Sequence, residues 1–242
     1  MSAAGDLAVR LRSQSMIDDP FLGPVTAERF AAASPAWPQH GRWSGLKPGP
    51  VTSGRRRSVA EFDFIPADAE QPVLPVGIVW DVTSARAVAR VYYNKKLAGA
   101  SLPGSDVVRA PMVPPDPALD LHPTMRRYAD VLRRGDEQGL LDVLEPGLTV
   151  RGPLGVPMAA DDVRAVFAAM IASGGGVPVM YVTCTDNGSR AAMEFISWRT
   201  PPHAGLGVYE RAPSGRIAAF RAYEGPVRRT SPADEPPASP RC

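Results

Sequence analysis

The sequence predicts an α+β protein made of two like units in tandem, and three observations carry that prediction. Helical periodicity followed by strand alternation occurs twice along the chain in the same order. A corner that reads IDDPFLGP at residues 17–24 returns as VRGPLGVP at residues 150–157. Matching residues also hold nearly one offset, since Ile17 and Val150, like Glu61 and Glu194, lie 133 positions apart, and Arg90 and Arg221 lie 131 apart. A duplication leaves such a pattern.

The second unit is the more regular. Residues 124–144, TMRRYADVLRRGDEQGLLDVL, space Met125, Tyr128, Leu132, Leu140, Leu141 and Leu144 as a helix does. Thr124 is the expected N-cap, and Gly135 with Asp136 divides the stretch into two helices. Residues 158–176 predict an amphipathic helix through Val163, Val166, Phe167 and Ile171, ended by Gly174–Gly176. The period then changes from 3.6 to 2. A hairpin is expected around Asn187 and Gly188, and a second around Pro213–Gly215, giving helices followed by an antiparallel sheet of about four strands.

The first unit repeats that order imperfectly: a short helix over 6–16, the corner at 17–24, a helix over 26–33, a strand over 58–66 and a hairpin over 73–96. Too few residues precede Ile17 for a counterpart of the helical pair at 124–144, so this unit is expected to be shortened at its N-terminus. Proline and glycine concentrate at 35–54, 99–123 and 226–240, which predicts two long loops or linkers and a disordered tail. The expected organisation is therefore a first unit over 1–98, a linker over 99–122, a second unit over 123–225 and a tail over 226–242.

Composition removes several function classes. The net charge of +2 is spread along the chain apart from Arg55, Arg56 and Arg57, so neither a nucleic-acid groove nor an anionic-membrane patch is expected. Two cysteines, Cys184 and Cys242, make no disulfide framework, and the absence of a CxxC motif or histidine cluster predicts no metal. The opening MSAAGDLAVRLRSQ carries Asp6, Arg10 and Arg12 where a signal peptide needs an apolar run, and no stretch is apolar enough to span a bilayer, so a cytoplasmic chain is expected. Residues 173–176 end a helix where a phosphate loop would begin one. His40, His122 and His203 all fall in Pro/Gly-rich loops, which leaves a Ser/His/Asp hydrolase little support.

Read whole, the second unit, through RRYADVLRRGDEQGLLDVL, LTVRGPLG, DDVRAVFAAM, AAMEFISW and SGRIAAFRAYEG, resembles the nuclear transport factor 2 (NTF2)-like superfamily, which includes SnoaL-like polyketide cyclases and ketosteroid isomerases. The resemblance covers the first unit more weakly. It implies two NTF2-like (cystatin-like) cones, each a curved sheet wrapped around helices with an apolar pocket at one end. Many members pair through the outer faces of their sheets, so it also implies an internal pseudo-dimer of the two units and leaves a homodimer of chains open.

The resemblance places Tyr128 where isomerases carry a tyrosine that donates to the substrate oxygen; packing of that ring in the core is the equal alternative. The isomerase general base falls on Gly152 in the second unit and on Asp19 in the first, and its acidic partner falls on Gly207. The second unit is thus not a ketosteroid isomerase. Asp19, preceded by Asp18, is a candidate base, with turn or N-cap duty before Pro20 as the alternative. Strand alternation sets Met193, Phe195, Ser197 and Arg199 on one face and Glu194, Ile196 and Trp198 on the other. By the resemblance the first set faces the second unit's pocket, with Phe167, Phe220, Ala222 and Glu224, and Tyr93 is the counterpart of Glu224. Trp80, Trp198, Ile196 and Tyr209 are candidates for the contact between units.

These expectations describe a small-molecule tailoring enzyme of secondary metabolism. It would promote cyclisation, a pericyclic step included, of a hydrophobic polyketide-like substrate without metal or cofactor. An acid/base isomerase or dehydratase of the SnoaL type, and a non-catalytic ligand-binding or assembly module, are the alternatives.

Overall fold

The structure, a computed structural model, describes residues 11, 14, 16–81, 88–94, 97–98, 115–172, 179–197 and 203–227. Most of the helix expected over 6–16, most of the linker and the tail beyond Val227 lie outside the described residues, and Met16, expected to end that helix, opens a strand instead.

The first part of the chain forms β1 (Met16–Asp19), β2 (Gly23–Val25), α1 (Ala27–Ala33), β3 (Trp43–Ser53), β4 (Arg57–Pro66), β5 (Leu74–Asp81) and β6 (Val88–Tyr92). The second forms α2 (Pro123–Arg134), α3 (Glu137–Val143), β7 (Leu144–Arg151), β8 (Pro157–Met158), α4 (Ala160–Ala172), β9 (Val179–Asp186), β10 (Arg190–Ser197), β11 (His203–Arg211) and β12 (Ile217–Val227). Two six-stranded sheets result, with one strand order: β2-β1-β6-β5-β4-β3 and β8-β7-β12-β11-β10-β9. In each, the strand of the Pro-containing corner runs parallel to the last strand, Ile17 opposite Ala89 and Val150 opposite Phe220. One topology, built twice, is the tandem α+β fold expected from the sequence.

Local chemistry explains most of the boundaries. Gly135 ends α2 in the left-handed region at φ 67°, and Asp136 caps α3 by accepting from Gly139 N at 2.8 Å. The β9–β10 turn closes on Asn187 Oδ1, which accepts from Arg190 N at 2.8 Å, with Gly188 at φ 95°. Thr124 is not the cap of α2. Pro123 takes the first helical position, where its missing N–H costs nothing, so His122 becomes the cap and Thr124 Oγ1 donates to Gly215 O at 2.8 Å.

The second sheet has more strands than the four expected, and the first more than the expected strand and hairpin. The quoted corners are themselves strand pairs, too short to show alternation. Residues 43–53, expected to be loop, form β3 despite Pro48 and Pro50. The strand lies at the sheet edge, where a missing N–H is tolerated, and a bulge falls between Pro48 and Val51.

Each sheet packs helices and aromatic residues against one face. In the first unit Phe30, Trp37, Trp43, Phe64 and Trp80 fill the interior, and in the second Met125, Tyr128, Leu140, Met193 and Tyr209 do so. A third apolar cluster lies between the sheets: Val59, Val79 and Tyr92 of the first pack with Ala192, Leu206, Val208 and Tyr223 of the second. Gly77 and Leu206 sit at matching positions, opposite Glu61 and Glu194. A Cβ on Gly77 would come within 2.5 Å of Leu206 Cδ2, so the glycine makes room for the leucine.

Two reciprocal polar clusters flank this apolar contact. Glu194 accepts from Arg90 Nε at 2.5 Å and Nη2 at 2.9 Å, from Tyr92 OH at 2.6 Å and from Thr183 Oγ1 at 2.5 Å. Glu61 accepts from Arg221 Nε at 2.5 Å and Nη2 at 3.0 Å and from Tyr223 OH at 2.6 Å. Both carboxylates are buried, and Glu194 is held below the usual carboxylate range by Arg90 against the opposing effect of burial. Two of the three residue pairs whose spacing pointed to the duplication, Glu61 with Glu194 and Arg90 with Arg221, are thus the ones that join its halves. Of the other candidates for this contact, Trp80 and Tyr209 belong to the interiors, Ile196 shares the outward face of β10 with Glu194 and packs with Val182, and Trp198 lies outside the described residues.

Candidate functional site

Between the inner face of the second sheet and the helices α2 and α4 lies an open cavity of about 280 Å³. β7 contributes Val150, followed by Gly152 and Pro153; β10 contributes Phe195 and Ser197; β12 contributes Phe220 and Ala222. The alternation of each strand decides this, because Arg151, Arg221 and Tyr223 between them point to the first unit. Two inward glycines of β11 matter as well: a Cβ on Gly205 would meet the Phe195 ring, and one on Gly207 would come within 2.6 Å of Tyr209 Oη. Their missing side chains let both rings lie over the strand.

Six of the predicted residues, Tyr128, Phe167, Phe195, Ser197, Phe220 and Ala222, come together on this cavity. Tyr128 packs edge-on against Tyr209 with ring centroids 5.1 Å apart, and Tyr209 stacks on Phe220 at 4.7 Å. The Tyr209 hydroxyl lies 3.5 Å from that of Tyr181, which also lines the cavity. Burial pushes all three phenols above their ordinary range, so they are neutral donors at any physiological pH. His203 stands at the first position of β11, opposite Ser197, and lines the same cavity; it is not a loop residue. No carboxylate is among the described lining residues.

The other predicted residues are elsewhere. Met193 faces inward, but it is fully buried among core side chains and does not line the cavity, which begins at Phe195 beyond a bulge after Glu194. Glu224 does not line it either: its carboxylate accepts from Asn94 Nδ2 of the first unit at 2.7 Å, a partner that a pocket-facing position would not offer. Arg199 lies outside the described residues. Asp19 and Tyr93 meet in the first unit, both fully buried, where Asp19 accepts from Tyr93 OH at 2.9 Å, Ser34 Oγ at 3.3 Å, Phe21 N at 2.9 Å and Leu22 N at 2.8 Å. The two backbone bonds cap the turn after Pro20, as the turn alternative requires. Burial nonetheless raises the Asp19 carboxyl to about 6, because desolvation outweighs the four donors.

Tyr181, Tyr209 and His203 were not among the pocket candidates from sequence, Tyr209 having been assigned to the contact between units. Tyr209 shares the parity of the inward Gly207, and Tyr181 pairs with Phe195 across β9 and β10, so alternation and pairing contained the signal. Cys184 is partly buried and its thiol is pushed up to about 12, which makes it an inert strand residue. Among the described residues no group of acidic, histidine or cysteine side chains is arranged to hold a metal, and no helix is long and apolar enough to cross a membrane.

No protein-family model and no curated protein matches the chain. Among solved structures it is similar to a SnoaL-like protein of unknown function from Burkholderia thailandensis, at 14% identity over 41% of this chain and 89% of that one, with a TM-score of 0.37. It is also similar to a cystatin-like-fold protein from Silicibacter pomeroyi, at 22% identity over 44% and 76% of the two chains and a TM-score of 0.39. A third similarity is to an LEH-like epoxide hydrolase of M. tuberculosis, at 17% identity over 42% and 79% and a TM-score of 0.36.

Proposed function

We propose that the second unit is a small-molecule tailoring site that folds a neutral, hydrophobic, polyketide-like substrate and promotes its cyclisation. One observation carries this: an apolar cavity whose polar groups are three neutral phenols, Ser197 and His203, with no carboxylate among the described lining residues. A cavity of about 150 Å³ can hold benzene, so the volume here suits a molecule of about two fused rings. Tyr128 donates to a substrate carbonyl oxygen, backed by Tyr209, and the aromatic walls hold the reacting carbons together. Orientation of that kind can lower a barrier by about 7 kcal/mol or more for an intramolecular step. Donation from a neutral phenol strengthens as negative charge gathers on the oxygen.

The first unit serves as its partner in an internal pseudo-dimer, with units over 1–98 and 123–225. Asp19 is assigned turn capping rather than catalysis, because its oxygens are already engaged by four donors. His203 favours a second reading, an acid/base isomerase or dehydratase in which its imidazole moves the proton.

A linear polyketone is the test substrate, its cyclised isomer followed by chromatography with mass detection. Turnover that falls in Tyr128→Phe and survives in His203→Ala supports the shape-directed cyclase. Turnover lost in His203→Ala supports the second reading. Tight binding of cyclic ketones without turnover of any linear one would overturn both in favour of a ligand-binding module.

A further inference from the structure

The two corners of the duplication differ at two charged positions, where Asp18 and Asp19 of the first copy match Arg151 and Gly152 of the second, and only the first of these reverses the sign of the charge. Arg151 reaches out of the second unit: Nη1 donates to Asp63 on β4 at 2.6 Å and Nη2 to Tyr223 OH at 2.9 Å, and Tyr223 in turn donates to Glu61. The position that matches Asp63 in the second unit is Ile196, so this link has no reciprocal copy, unlike the Glu–Arg–Tyr clusters. Arg151 stands between Val150 and Gly152, both on the cavity wall. Four residues on, Gly155 has φ 76°, and a Cβ there would come within 3.1 Å of Pro75 and 3.2 Å of Val73 O, both in the first unit. The lip of the cavity, residues 150–156, is therefore held from behind at two points by the other half of the chain.

We infer that Asp63 and Arg151 are positioning residues through which the first unit fixes the β7–β8 lip of the second unit's cavity and so sets its ligand affinity. This rests on the proposed reading of the cavity as a ligand site. The duplicated half thereby has a role for which it needs no active site of its own: β4 and the Val73–Pro75 segment act as a rigid backing. An ion pair about one-fifth exposed on each side adds little to global stability, but it controls where a short lip rests.

The test uses the full chain and two measurements. The first is hydrogen exchange of the amides at 150–156 in wild type, Asp63→Asn, Arg151→Gln and the conservative Asp63→Glu. The second is the affinity for 2-acetylnaphthalene, a neutral bicyclic ketone. Exchange of the lip should quicken in Asp63→Asn and Arg151→Gln while the amides of β10 and β11 keep wild-type rates, and Asp63→Glu should restore it. The ketone should bind about 5-fold more weakly to the two disrupting variants and within about 2-fold of wild type to Asp63→Glu. Unchanged lip exchange in both disrupting variants overturns the inference, as does quickened exchange with ketone affinity unaltered. A wild type that fails to bind the ketone overturns the reading of the cavity instead, and lip exchange alone then decides the clamp.

Discussion

Replacing Glu194 by Gln probes the junction between the sheets at the more buried of its two Glu–Arg pairs. The Glu194 side chain is 1% exposed and Arg90 5%, and the carboxylate is the acceptor for four donors. Glutamine presents an NH₂ group to a guanidinium that cannot lose its proton, so a buried cation is left under-compensated. Breaking a buried pair from one side costs about 3–5 kcal/mol. Arg90 keeps Asp81 at 3.0 Å, which places the expected loss near the lower end, about 3 kcal/mol. Glu61→Gln is the internal control. Its partner Arg221 is 17% exposed and keeps Glu210 at 2.7 Å, so about 1–2 kcal/mol is expected there. Urea unfolding followed by tryptophan fluorescence and far-UV circular dichroism measures both. The Arg90→Met, Glu194→Leu double variant, which removes both charges, should recover much of the loss. A Glu194→Gln protein within 0.5 kcal/mol of wild type, or no weaker than Glu61→Gln, would refute the reasoning.

Three further outcomes are expected. Asp19, with a folded value of about 6 against an ordinary 3.8, is penalised when ionised in the native state, a penalty on the order of 3 kcal/mol at neutral pH that fades as pH falls from about 7 to 4. The stability of Asp19→Asn relative to wild type should therefore decline over that window; parallel stability curves would contradict the assignment. Glu194 has the opposite sign, since its folded value is lowered, and its contribution is present at neutral pH and lost as pH falls through that value, so Glu194→Gln should differ least from wild type in acid. Gly77→Leu should destabilise the chain by about 2 kcal/mol or more through the clash with Leu206, and Leu206→Ala should relieve it; full stability of the single variant would count against the close sheet contact.

Much of the fold was legible because two signals agreed. Alternation in AAMEFISW put Met193, Phe195 and Ser197 on one face and Glu194 on the other, the resemblance turned the first face inward, and the structure has Met193 in the core, Phe195 and Ser197 on the cavity and Glu194 facing the first unit. The nearly equal spacing of Glu61 with Glu194 and of Arg90 with Arg221 marked the duplication, and the structure gives both pairs one role, since each carboxylate answers the other copy's arginine. β3 was hidden because its prolines read as loop, and an edge position cancels that penalty. Tyr209 was misplaced because an aromatic residue in a glycine-rich strand was read as contact surface, whereas Gly205 and Gly207 make room for rings inside. Glu224 could not have been placed from sequence, since its partner Asn94 comes from the other unit.

The ketone carbonyl itself offers the most direct test of the proposed site. With 2-acetylnaphthalene labelled with ¹³C at the carbonyl, the bound resonance in wild type should move downfield of its position in apolar solvent, as donation from Tyr128 polarises the bond, and the shift should shrink in Tyr128→Phe. A bound resonance identical in wild type and Tyr128→Phe, or no saturable binding at all, would contradict the role of Tyr128 as the donor in this cavity.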